Sequence, residues 1–435
     1  SGEPFIHDKK MNTATQNLTL ASARSFTLTR IFKKMAPFPE DFHRPRAVLS
    51  IDVGRSRWVA DFQFDGADHL FSFSGDDKRA RLAARLADIR RRHGLEGAED
   101  VVACYEIGRD GFWIRDFLES LGVPCVVLTA DVLCDGGRTP KTDSLDARRL
   151  AQRLRRFCEG EPSPRHVCVP PDECTAKARL AVRRRLRLVE ARTSVANCFK
   201  SILATQTEVP RGLGMARIDV DSLKDFRGDP LSAEVADALK ECLERWKSLD
   251  ERIRALEKAM EKTGSEARAA VESGGSAAGL LRHVGMLLRI QGIGCRLAWI
   301  LGCELFFRPF RNGGQVGSAT GLVDVPFASG SCARSRGISR RSNARLRGAL
   351  LELAWLWLRL QPESAEARWF AARTAGAGGR QRKICAVGMA RRIAVALWRH
   401  LRDGSLPEGW KLKADGAKSS QSAGSPRKAG RERKA

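Results

Sequence analysis

What this chain lacks narrows it first. No apolar run among its 435 residues is long enough to cross a bilayer, and no basic-then-apolar leader with a small-residue cleavage site is apparent. The expectation is a cytoplasmic protein with no membrane partner. Its twelve cysteines include no CxxC pair, so neither a disulfide framework nor a zinc ribbon is indicated. They read as reduced, mostly buried thiols. The seven histidines are dispersed, with no HxxxH and no HxH beside a cysteine pair, which argues against a structural zinc site.

What is present is positive charge. Lysine and arginine number 76 against 51 acids, a formal net charge of +25, with a pI near 10.2. An excess of that size suits a polyanionic partner, and with no membrane segment the expectation is nucleic acid. A hydrophobic content of 43% is that of a folded protein, and the length allows two or three domains.

Residues 1–45 show little periodicity and read as a flexible N-terminal extension. Residues 46–170 alternate strand and helix patterns. Three short β-rich runs (AVLSIDVG, RWVADFQF and HLFSFS) precede the helical DKRARLAARLADIRRRHG. The strand VVACYE, the helix GFWIRDFLESLG, the strand PCVVLTA and a helix opening at KTDSLDARRL follow. Three strands and then alternating α and β match an RNase H-like (RuvC-like) α/β layout. Residues 171–275 hold two long charged segments with heptad-like apolar spacing, an α-helical coiled-coil region that is antiparallel or intermolecular, or else a plain helical hairpin. Residues 276–410 form a mostly α C-terminal domain with Gly- and Ser-rich loops, and 411–435 are a basic low-complexity tail.

Four acids stand out. Asp52 ends the apolar strand SID, and Glu106 ends the apolar strand VVACYE; strand interiors disfavour such residues. Asp next to Gly is also ordinary turn chemistry, and Glu106 could be a solvent-exposed strand end. Asp143 and Asp146 share one helix face at i, i+3, behind Thr142 as a candidate cap, although acids at a helix start are common. Together they carry more weight. Open α/β sheets bind ligands beyond the carboxyl ends of their strands. Carboxylates gathered there repel unless cations bind, and oxygen-only ligands suit Mg²⁺ or Mn²⁺. Two such ions can stabilise both the attacking and the leaving oxygen of a phosphodiester displacement.

SIDVG, CYEIGRDGFW and KTDSLDARRLA, with QGIG at 291–294, GLVDVPFASGS at 321–331 and GISRRSNARLRGALLELAWLWLRLQPES at 337–364, resemble the insertion sequence 110 family of transposases. The Piv/MooV DNA invertases are relatives of that family. The resemblance spans about residues 47–405. It implies a DEDD catalytic tetrad of Asp52, Glu106, Asp143 and Asp146 holding Mg²⁺ or Mn²⁺, and a nucleophilic serine at Ser329 that forms a phosphoserine link to DNA. It implies donor and target DNA as partners, a structured bridge RNA that guides target choice, a dimer or tetramer with a composite site, and a bacterial, nucleoid-associated setting. The chain departs from the usual Lys-Ala-Gly after GIS, carrying Arg340, Arg341 and Ser342, and Cys332 replaces a commonly polar residue.

On the residues alone, Ser331 competes with Ser329, since a Ser-Gly pair is an everyday turn. Gly292 and Gly294 of QGIG resemble a helix-hairpin-helix phosphate turn, but a simple turn between helices fits as well. Arg183, Arg184, Arg334, Arg340 and Arg341 are candidate nucleic-acid contacts. Trp355 and Trp357 read as core. Two other functions stay open: a metal-dependent, structure-selective nuclease that cuts by water attack, and a non-catalytic RNA-binding scaffold.

Overall fold

A computed structural model describes residues 45–95, 97, 100–108, 111–129, 142–159, 167–275, 277–329, 332–338 and 343–413. The expected extension at 1–45 and tail at 411–435 lie almost wholly outside these residues. The chain divides between Pro170 and Pro171 into two compact units.

The first unit is built on a five-stranded mixed sheet of order β3-β2-β1-β4-β5. Strands β1 (Ala47–Val53), β2 (Arg57–Phe64) and β3 (Ala67–Ser74) are antiparallel neighbours. A two-residue Asp65-Gly66 turn joins β2 to β3. Both residues have positive φ, 51° and 79°, the backbone that a right-twisted hairpin requires. Helix α1 (Lys78–Arg92) ends on three arginines, which suit the negative end of its dipole. Strand β4 (Val101–Glu106) adds parallel to β1. After α2 (Trp113–Ser120), β5 (Cys125–Leu128) adds parallel to β4.

Helices cover both faces of this sheet. Leu49, Ile51, Ala103 and Tyr105 pack with Leu82, Leu86, Ile114 and Leu118 of α1 and α2. Val48, Cys104, Val126 and Leu128 pack with Leu150, Ala151 and Leu154 of α3 (Asp143–Cys158). Burial on both sides explains why AVLSI reads as a nearly continuous apolar run, and each such side chain contributes about 1.5–3 kcal/mol.

The second unit begins with two long helices, α4 (Glu173–Ala204) and α5 (Ala233–Glu272), capped by Asp172 and Ser232. Arg185 pairs with Glu257, Arg192 with Asp250, and Cys198 Sγ stands 4.0 Å from Cys242 Sγ. Numbers rise along one helix as they fall along the other, so the pair is antiparallel and within one chain. The buried positions of α5, from Leu239 and Leu243 to Gly264 and Ala267, fall on one alternating three-and-four series. Phe199, Leu203, Met215 and Val220 close the loop end of the hairpin.

Helix α6 (Gly279–Arg289) follows, then α7 (Cys295–Leu301), which runs directly into a π-helical turn at Gly302–Phe306. Helix α8 (Gly313–Thr320) leads to a hairpin of β6 (Asp324–Ser329) and β7 (Cys332–Ile338), and α9 (Ala344–Leu360), α10 (Ala365–Thr374) and α11 (Gly379–Asp403) complete the unit. Leu287, Leu301, Leu350, Trp357, Met389 and Ile393 lie in its core.

Two expectations need correction. Trp357 is core, its Nε1 donating to Ser364 Oγ at 3.0 Å, but Trp355 is 45% exposed. Positions two apart on a helix point in divergent directions, so one buried face could not take both. Among the ten cysteines whose side chains are described five are buried, and Cys174 and Cys198 are exposed. No described helix is long and apolar enough to cross a membrane.

Candidate functional site

Strand pairing brings two of the candidate acids together. Ile51 of β1 and Tyr105 of β4 are partners in the parallel register. The next residue along each strand is Asp52 or Glu106, so the two acids stand side by side at the carboxyl ends of adjacent strands, whose backbones run about 4.8 Å apart. Ile51 and Tyr105 point into the cluster beneath α1 and α2. By alternation Asp52 and Glu106 belong to the opposite face, the one α3 covers. Both are half-buried.

Helix α3 supplies the other pair. Thr142 Oγ1 accepts from Leu145 N at 3.3 Å, which fixes the helix start. Ser50 Oγ donates to Ala147 O at 2.6 Å, and Cys104 Sγ lies 3.6 Å from Leu150 O. The first turns of α3 therefore sit on β1 at Ser50, two residues before Asp52 on the same face. Asp146, immediately before Ala147, is 4% exposed, and its carboxylate lies 3.5 Å from Arg149 Nη1. Asp143 is exposed. Among the described residues no three of His, Cys, Asp or Glu stand close enough to hold a metal ion. The donor set is nonetheless all carboxylate oxygen, the chemistry Mg²⁺ and Mn²⁺ prefer.

Ser329 is the last residue of β6, paired with Cys332 of β7 at the tip of the hairpin. Ser331, Arg340 and Arg341 lie outside the described residues. Arg334 sits in β7 opposite Phe327. Ser329 and the four acids belong to different compact units.

The QGIG segment joins α6 to α7. Gly292 has φ +96°, where a side chain is strained, and Gly294 caps α7. The turn is braced by the segment at 411–413: Gln291 N donates to Lys411 O at 3.0 Å, and Lys413 Nζ donates to Ile293 O at 2.7 Å.

Arg183 and Arg184 part ways on α4. Arg184 is exposed and lines a groove of about 590 Å³ with Lys177, Arg183 and Arg187. Arg183 turns to a carboxylate that sequence reasoning passed over. Glu304, in the π-helical turn, has no exposed side-chain area. It receives Arg183 Nε at 3.1 Å and Nη2 at 3.3 Å, Arg179 Nη2 at 3.2 Å and Asn343 Nδ2 at 2.9 Å, with Arg345 Nε at 3.5 Å. Burial pushes the Glu304 carboxyl up, but the Arg183 hydrogen bonds and the charges of Arg179, Arg183 and Arg345 outweigh it, leaving its pKa below the usual value.

Asp61 of β2 was also missed. It is fully buried opposite Ser50, with Gln63 Nε2 donating to one oxygen at 2.9 Å and the other oxygen without a hydrogen-bond partner. Burial raises its pKa, against the Gln63 hydrogen bond. The signal for both was available as a lone acid inside an apolar run, WVADF and WILGCELFF.

Comparison with known proteins adds a separate line. The family model described as "Transposase IS116/IS110/IS902 family" matches residues 285–369. "Putative transposase y4rJ" of Sinorhizobium fredii (strain NBRC 101917 / NGR234) is 32% identical over 381 residues, covering 84% of this chain and 94% of the relative. "Probable family 20 transposase" of Pseudomonas aeruginosa is 26% identical over 347 residues, covering 77% and 94%.

Proposed function

We propose, from the premise that this chain belongs to the IS116/IS110/IS902 family of transposases, that it cuts and rejoins DNA with Asp52, Glu106, Asp143, Asp146 and Ser329. The observation that carries this is the pairing of Asp52 and Glu106 at adjacent parallel strand ends, on the face that receives the first turns of α3. The strand order β3-β2-β1-β4-β5, with only the first three strands antiparallel, supports an RNase H-like reading of the first unit. The three-and-four series of α5 supports a coiled-coil reading of the helical hairpin.

The residues divide the work. Asp52, Glu106, Asp143 and Asp146 would hold Mg²⁺ or Mn²⁺, which when bound supplies positive charge at the scissile phosphate. The acids also keep the phosphate from approaching in the ion's absence, since carboxylates and phosphate repel. Ser329 Oγ, at the end of β6, attacks phosphorus. The Ser329 hydroxyl gives up its proton as the Oγ–P bond forms, the P–O bond to one sugar breaks, and the departing sugar oxygen takes up a proton, so the exchange is proton-neutral. The phosphoserine diester retains the bond energy, so reversal with a different sugar hydroxyl rejoins DNA and frees the serine. The complete site would be assembled in a homodimer or tetramer, as in the family the chain resembles, with a bridge RNA choosing donor and target by base pairing.

A denaturing gel tests the reading. Wild-type protein with Mg²⁺ and labelled substrate DNA should give a covalent adduct. Ser329→Ala should lose it, and Asp143→Asn should lose both adduct and cutting by more than a hundredfold. Cutting without adduct in wild type and Ser329→Ala alike would favour water attack. Unchanged activity in Asp143→Asn would leave only a scaffold.

A further inference from the structure

The Glu304 cluster holds more positive charge than its carboxylate needs. One buried acid faces three guanidiniums, from Arg179 and Arg183 on α4 and Arg345 on α9. One arginine would neutralise Glu304; two charges are left over in one place. Three like charges gathered this closely repel, and such a gathering is stable at an exposed edge when an anion shares it.

The geometry of Arg183 leaves donors free for such an anion. Its Nε and Nη2 form a fork on the two oxygens of Glu304. A guanidinium has five N–H groups in one plane, so the Nη1 edge and the second Nη2 hydrogen remain. Arg183 is 41% exposed and Arg345 38%, so their outer edges reach solvent. Arg183 also lines the groove formed with Lys177, Arg184 and Arg187. Arg179 is steadied from behind, its guanidinium 4.9 Å from the centre of the Phe307 ring.

Two features make the cluster rigid. Glu304 sits in a π-helical turn, a rare element that is often found at functional sites. Asn343 joins the cluster to the start of α9: its Nδ2 donates to Glu304 while its Oδ1 caps α9, accepting from Arg345 N and Leu346 N.

We infer that Glu304 is a positioning residue that presents Arg183 and Arg345 as a fork for a nucleic-acid backbone phosphate, continued along the groove by Arg184 and Arg187. The inference rests on the reading of the chain as an enzyme that acts on nucleic acid. It assigns the ligand class, a phosphodiester, and leaves DNA or RNA to the experiment.

Full-length protein is titrated into a labelled 30-base-pair duplex DNA and, separately, a labelled single-stranded RNA, by fluorescence anisotropy over a range of salt. Arg183→Lys and Arg345→Lys keep the charge and lose the fork; each should weaken binding to at least one polymer about fivefold to tenfold. Arg183→Ala should also lower the slope of log affinity against log salt by about one. Glu304→Gln separates orientation from charge. Simple electrostatics has it bind tighter, since a negative charge is gone, whereas a fork that has lost its anchor binds more weakly. Melting curves of each variant accompany the titrations, and if Glu304→Gln does not fold, the lysine variants decide alone. Weakening on one polymer identifies it as the occupant. Lysine variants that bind both polymers like wild type overturn the inference and leave the recombinase reading intact; wild-type protein that binds neither polymer overturns that reading.

Discussion

Asp61 and Glu304 are carboxylates of equal burial, one in each unit, with opposite electrostatics. Asp61 has one hydrogen bond from Gln63, and its other oxygen is unsatisfied. The charge of Asp68 nearby raises its pKa further, while the charges of Arg148 and His69 lower it without outweighing burial. Glu304 is ringed by three arginines and an asparagine. Burial alone therefore says little about an acid; its partners decide whether it is a strain or a clasp. The difference also sets the pH behaviour of the two units. Glu304 has a lowered pKa, so its contribution is present above the ordinary glutamate value and is lost as pH falls through the lower folded one. Asp61 has a raised pKa, so its contribution is complete below the ordinary aspartate value and is lost as pH rises through the higher folded one.

The comparison can be broken in four ways, each read by hydrogen exchange with mass spectrometry, which reports on each unit separately. Glu304→Ala has the largest effect. It leaves three arginines unpaired, and the second unit should lose about 3–5 kcal/mol, with protection collapsing in α7 and α9 and the first unit untouched. Asn343→Ala removes both a helix cap and a Glu304 partner, and should cost about 2 kcal/mol, concentrated at the start of α9. Acidification from neutral to below about pH 4.3, the ordinary glutamate pKa, should lower protection around Glu304 while it raises that of β2. Asp61→Asn should stabilise the first unit by about 1 kcal/mol at pH 7, and the gain should vanish in acid, where Asp61 is already neutral. A destabilising Asp61→Asn at neutral pH would mean that the two acids are not opposites.

The first unit was legible in the sequence because its signals are local. Short β-rich runs marked β1 to β3, and the helical period of α1 ended at Gly94. The strand-end positions of Asp52 and Glu106 followed from the same pattern, and their adjacency required only the parallel pairing of β1 with β4. The second unit was harder. The hairpin of β6 and β7 (VPFASGSCARSRGI) has Gly and Ser where alternation would be read, so it looked like loop. Nothing in WILGCELFF announces a π-helical turn. Heptad spacing in α4 and α5 could not tell an intermolecular partner from an intramolecular one; Arg185–Glu257 and Arg192–Asp250 show that each helix pairs with the other in the same chain. Arg183 read as a free cation because its partner, Glu304, lies 121 positions away.

We propose that Asp52, Glu106, Asp143 and Asp146 act together on one divalent-ion site, and titration of the full-length protein with Mn²⁺, followed by electron paramagnetic resonance, is the direct test. Saturable binding is expected in wild type, weakened at least tenfold in each of Asp52→Asn, Glu106→Gln, Asp143→Asn and Asp146→Asn. Binding of equal strength in wild type and all four variants would contradict it.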